Sequence, residues 1–203
     1  MVVEAILLSA GESSRMGKPK ALLDWFGQPL VLAQAEALFE GGANRVIVVT
    51  GAHHDEISDT IIDKPNITVA ANPDWSRGKT TSIKTGLREL STSCQTLIVL
   101  AVDQPRPAWA INQALQSHLN SNCPVTSPRY SGHGGHPLLF DAALFPELAK
   151  ISEKHEGLRQ VMKRYDRAMN RVYFDNSVVR FDLNTPDDYE TALKTYPSLA
   201  ENP

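Results

Sequence analysis

The chain has 203 residues, 42% of them hydrophobic, with 20 basic against 23 acidic side chains and a net charge of −3. That length buries about 70% of the unfolded surface, and the aliphatic content with a small charge imbalance excludes a disordered body. A sequence pI near 6.1 argues against a nucleic-acid-coating domain. Cys94 and Cys123 are too few for a disulfide framework or a structural zinc site and read as thiols in a reducing compartment.

The predicted elements alternate short β-branched runs with helical stretches, which points to βαβ units and a mainly parallel sheet. Strands are expected at 5–9, 45–50, 67–71 and 96–102, as continuous apolar runs of the kind covered on both faces. The N-terminal stretch 1–10 is apolar but carries Glu4 and no basic flank, so it reads as a strand and not as a signal peptide or membrane span. Helices are expected at 29–40, 54–62 and 81–90.

Beyond Asp103 the pattern predicts a helix at 109–120, a strand at 124–127 and a polar loop at 130–135. Further strands are expected at 136–140, 172–175 and 178–182, with helices at 141–150 and 157–165. Thr185-Pro186-Asp187-Asp188 has the form of a capped helix start. The expectation is one domain over 1–194 followed by a polar tail at 195–203, in a cytoplasmic protein with no membrane and no nucleic-acid partner.

The most informative segment is Ser9-Ala10-Gly11-Glu12-Ser13-Ser14-Arg15-Met16-Gly17-Lys18-Pro19-Lys20. Glycines, serines and three cations gather at the carboxyl end of the first strand, the edge where open α/β sheets bind ligands. Backbone N–H groups there approach an anion closely, and the cations add charge. The alternative is a solvated surface turn. The spacing fits neither the P-loop nor the dinucleotide fingerprint, because five residues separate Gly11 from Gly17 and Pro19 follows Lys18.

This loop resembles the AGxSxRMGxxK segment of the nucleotidyltransferases that activate cofactors and sugars. The nearest group is the molybdenum cofactor cytidylyltransferases and their guanylyltransferase relatives. Leu22, Leu23 and the turn Gly27-Gln28-Pro29-Leu30 continue the resemblance, which recurs to residue 192. It implies a single-domain, Rossmann-like α/β fold of the nucleotide-diphospho-sugar transferase type, a mainly parallel twisted sheet flanked by helices.

Later blocks extend it. Asn72-Pro73-Asp74-Trp75 and Gly78-Lys79-Thr80-Thr81-Ser82 lie before a helix and read either as simple capping or, through the resemblance, as base recognition by Asn72, Gly78 and Ser82. Asp103-Gln104-Pro105 ends a strand. It is either a turn-initiating aspartate or, as the resemblance implies, a Mg²⁺ ligand. Asp182-Leu183-Asn184-Thr185-Pro186 matches the family's second acidic segment with Asp182 in its first acidic position, but Asn184 stands in the other. Gly135-His136-Pro137 and Gly157-Leu158-Arg159 resemble acceptor-side segments, although Lys154 and His155 replace the usual Gly and Asp. His53, His54 and His118 read as surface residues, and the three tryptophans as packing residues.

The resemblance therefore implies a transfer of CMP from CTP to the terminal phosphate of molybdopterin, with Mg²⁺ and pyrophosphate release. Arg15, Lys20 and Asp103 are the expected catalytic residues. Leu8, Ser9, Ala10, Gly11 and Ser13 join Arg15, Lys20, Asn72, Gly78 and Ser82 around the nucleotide. Asp103 and Asp182 are the expected metal ligands, and His136 and Arg159 the acceptor contacts. CTP is implied because guanine users of the family carry Leu-Ala-Gly-Gly where this chain has Leu8-Ser9-Ala10-Gly11. An apo-molybdoenzyme is a further implied partner. Transfer to another small phosphate, and non-catalytic carriage of the cofactor, are the competing readings.

Overall fold

The computed structural model describes residues 1–62 and 64–201. Its main sheet is built from β1 (Val2–Ser9), β4 (Arg45–Thr50), β5 (Ile67–Ala71), β6 (Cys94–Ala101), β7 (Val125–Tyr130), β8 (His133–Gly134), β9 (Leu138–Asp141) and β10 (Met169–Tyr173). A separate two-residue hairpin, β2 (Asp24–Trp25) and β3 (Gln28–Pro29), precedes the first long helix. The helices are α1 (Leu30–Glu40), α2 (His54–Ile61), α3 (Lys79–Arg88), α4 (Ala108–Leu119), α5 (Phe145–Leu148), α6 (Leu158–Arg164) and α7 (Pro186–Ala200).

The strand order is β10-β7-β9-β6-β1-β4-β5, with β8 paired to β7. All pairs from β6 through β5 are parallel, as the apolar runs predicted; β9 runs antiparallel to both of its neighbours. The chain leaves β1 toward β4 and β5, then crosses back to place β6 on the other side of β1. Order reverses there, and a ligand crevice opens beyond the carboxyl ends of β1 and β6.

Alternation along β1 sorts its side chains between two cores. Val3, Ala5 and Leu7 join the layer of α1, α4 and α7, whereas Ile6 and Leu8 join the layer of α3, α5 and α6. Among the described residues, no helix is long and apolar enough to cross a membrane.

Three expectations are corrected. The strand at 178–182 is instead a 3-10 turn, Ser177–Arg180, capped by the Asn176 side chain. Val178 and Val179 are both fully buried, which consecutive residues of a one-sided strand cannot be, and the Val179 carbonyl accepts from His136 N–H. The tail expected at 195–203 is helical through Ala200, and Asn202 and Pro203 lie outside the described residues. Tyr196 is buried there, and Trp109 Nε1 donates to the Ala200 carbonyl at 2.7 Å. His118, expected at the surface, is buried with Nδ1 2.8 Å from Thr126 Oγ1.

Candidate active site

The loop after β1 is shaped by two left-handed residues, Ser13 (φ 57°) and Gly17 (φ 66°). Ser13 folds back so that its carbonyl accepts from Met16 N–H and its Oγ accepts from Lys20 N–H. Lys20 is thereby aimed at the crevice, where Nζ donates to Asp103 Oδ2 at 2.8 Å. Asp103 lies two residues beyond the end of β6, and its carbonyl accepts from Leu183 N–H, which ties the segment after the 3-10 turn to the same strand end. Thr185 and Asp188 then form a reciprocal cap that starts α7.

These elements enclose a cleft of about 370 Å³. Leu8, Ser9, Ala10, Gly11, Ser13, Arg15, Lys20, Gly78, Ser82 and Asp103 all line it. Two expected residues do not. Asn72 is buried behind the wall, donating from Nδ2 to Thr81 Oγ1 and Ser82 Oγ at 2.9 Å each, so it positions Ser82. Asp182 faces a different depression, accepting from Gln104 Nε2 at 2.9 Å and lying 3.9 Å from Arg106. Asn184 stands in the cleft with Asp103 instead. Trp75, expected only to pack, also lines this cleft.

A second cleft of about 770 Å³ adjoins the first. His136 and Arg159 both line it, together with Arg129 and Glu153, which the sequence did not single out. Lys79, at the first turn of α3, lines both clefts. Glu153 Oε1 accepts from Thr80 N–H at 2.7 Å, filling an open donor at the start of that helix. A β-carbon on Gly78 would lie 2.6 Å from the Glu153 carboxyl group, and its φ of 116° is one that L side chains rarely adopt, so the position favours glycine.

Arg106 ties the His136 wall of the second cleft to the backbone at Pro105 and Phe181. It is fully buried, with Nε donating to the His136 carbonyl at 3.0 Å and Nη1 to the Pro105 and Phe181 carbonyls at 2.8 and 2.7 Å. Burial pulls its pKa down to about 10, so it remains charged at neutral pH. Burial also holds the His136 imidazole at about 3, with Arg106 and then Lys79 adding repulsion. His136 is therefore neutral at pH 7.

A basic, glycine-containing loop opposite a carboxylate at a sheet switch point suits a polyphosphate, and comparison with known proteins agrees. The sequence profile described as the MobA-like NTP transferase domain matches residues 5–168. The chain belongs to this family. As a MobA-like NTP transferase it is an enzyme of the nucleotidyltransferase class, related to molybdenum cofactor cytidylyltransferase. The Escherichia coli K12 protein of that name is 28% identical, over 97% of this chain and 98% of its own length. Nicotine blue oxidoreductase of Paenarthrobacter nicotinovorans is 29% identical, over 96% and 95%. A nucleotidyl transferase from Methanothermobacter superposes with a TM-score of 0.81 at 19% identity, over 98% of this chain and 99% of that one, which shows the shared fold.

Proposed function

We propose that this MobA-like NTP transferase moves CMP from CTP onto the terminal phosphate of molybdopterin and releases pyrophosphate. The observation that carries the reading is Lys79, placed where a triphosphate-sized cleft meets a larger one. An acceptor seated in the second cleft can present its phosphate to a nucleotide seated in the first. The acceptor phosphate oxygen forms a bond to the α-phosphorus, the bond from that phosphorus to the β-phosphate bridging oxygen breaks, and pyrophosphate leaves with the electron pair. A phosphomonoester has a second pKa near 6, so no general base is needed. Charge builds on non-bridging and leaving oxygens, and Arg15, Lys20 and Lys79 are placed to meet it. Ser82 and the backbone of the loop after β1 line the same cleft and orient the nucleotide.

The donor set suits Mg²⁺. Asp103 offers a carboxylate partly open to the cleft and Asn184 an amide oxygen, which matches an ion that takes one or two protein oxygens and completes its shell with phosphate and water. Asp103 and Asn184 would hold it, in place of the pair Asp103 and Asp182. When bound it supplies Lewis acidity and a template between acceptor and nucleotide.

The deciding experiment measures Mg²⁺-dependent pyrophosphate release from CTP and GTP, with and without molybdenum cofactor. Release from CTP only in the presence of cofactor is the expected result. Asp103→Ala should lower turnover on the order of 100-fold or more while nucleotide binding persists. Transfer only to sugar or polyol phosphates would replace the acceptor, and consumption of neither nucleotide would favour a carrier.

A further inference from the structure

The second cleft is lined by four cations, Lys79, Arg129, Arg159 and Lys163, against three carboxylates. Its three carboxylates are all engaged: Glu153 accepts from Thr80 N–H, Glu156 pairs with Lys163 at 2.6 Å, and Asp166 pairs with Arg171 at 2.5 Å. Lys79, Arg129 and Arg159 form no ion pair among the described residues.

Arg129 is the least satisfied of the three. It lies on β7, opposite Gly134 of β8 in the antiparallel register. A β-carbon on Gly134 would lie in ordinary contact with Nη1, at 3.4 Å, so the guanidinium lies over that strand. Nε is sealed from solvent with no hydrogen-bond partner, and Nη2 reaches only Met169 Sδ, a weak acceptor, at 3.5 Å. Arg106 also has a buried nitrogen without a hydrogen bond, Nη2, but it lies 3.9 Å from Asp182 and three backbone carbonyls hold the rest of the guanidinium, as befits a structural arginine. Leaving a partly buried charge without partners costs stability, which points to a ligand that completes it.

The surroundings say which kind. Ile83, Leu138, Leu158, Met162 and Met169 give this cleft apolar walls suited to a flat ring. The phosphate end of an acceptor belongs instead at Lys79, where the clefts meet. We propose that Arg129 is the specificity residue for the acceptor and reads the edge of a fused pyrimidinone ring. A guanidinium fork matches two adjacent acceptors, as it does guanine O6 and N7. A pterin presents its ring carbonyl to such a donor, and in the oxidised ring, as in neopterin, the neighbouring ring nitrogen accepts as well. This assignment rests on the acceptor being a phosphorylated pterin, as proposed above.

The test is a fluorescence titration of neopterin monophosphate into the full-length protein and the Arg129→Met and Arg129→Lys variants. Glycerol 3-phosphate, a phosphate without a ring, and CTP are titrated in parallel. Both variants should bind neopterin monophosphate roughly 10- to 100-fold more weakly and keep affinity for the other two probes within about twofold. Arg129→Met should melt no lower than the parent, since it removes an unpartnered charge. Unchanged pterin binding, an equal loss of glycerol 3-phosphate, rescue by lysine, or a lower melting temperature with lost CTP binding would each overturn the assignment. Arginine-dependent pterin binding without pyrophosphate release from any nucleotide would uphold it and refute the transfer reaction. Pyrophosphate release with another acceptor, and no pterin binding by the parent protein, would do the reverse.

Discussion

Acidification should destabilise this protein through His136. In the folded chain burial holds the imidazole at about 3, whereas an unfolded histidine titrates near 6.5. The folded state thus binds its proton later than the unfolded state. The stabilisation is complete above about pH 6.5 and is lost as pH falls from there toward 3. Between pH 7.5 and 5.0 the loss from this one residue is about 2 kcal/mol. The backbone of residue 136 is held independently, by the Val179 carbonyl and by Arg106, so His136→Gln keeps the loop in place while removing the titration. Urea unfolding of both proteins at the two pH values isolates the effect, because other ionisable groups contribute equally to each. The parent should lose about 1 M more in its midpoint than the variant, for a slope of about 2 kcal/mol per molar. An equal pH loss in the two proteins, or an NMR midpoint for His136 near 6.5, would refute the argument.

Three further outcomes are expected. Gly78→Ala places a β-carbon 2.6 Å from the Glu153 carboxyl at a φ of 116°; it should cost about 1–2 kcal/mol in denaturant and raise KM for nucleotide. Truncation after Lys194 removes buried Tyr196 and the acceptor of the Trp109 N–H, and should cost about 3 kcal/mol or more; an unchanged unfolding midpoint would restore the idea of an idle tail. Lys79→Ala should lower kcat about 100-fold with little change in nucleotide affinity, whereas an equal loss of affinity would place Lys79 in the nucleotide site alone.

Much of this organisation is legible in the residues themselves. Runs such as Val46-Ile47-Val48-Val49 have one stable home, a strand covered on both faces, and four of them fix the parallel half of the sheet. The loop after β1 is legible because its chemistry is contiguous. Lys79, Arg129 and Glu153 are not, because each acquires its role from partners far along the chain, and an isolated basic or acidic residue looks solvated. The exchange of Asp182 for Asn184 has the same origin: the extended segment after the 3-10 turn decides which carbonyl or carboxylate meets the crevice. In α7 the apolar residues Tyr189, Ala192, Leu193 and Tyr196 keep a helical spacing to the end, but Pro197 and the surrounding polar side chains disguise it.

If the first cleft takes a nucleotide as proposed, the bond between Lys20 and Asp103 also governs what it will accept. A bare anion arriving at Lys20 would strand the aspartate, and a bare cation arriving at Asp103 would strand the lysine. Only a ligand that brings both charges replaces both halves of the pair at once. The resting protein is thus balanced against free phosphate and free cation alike, and the cleft selects for the two travelling together.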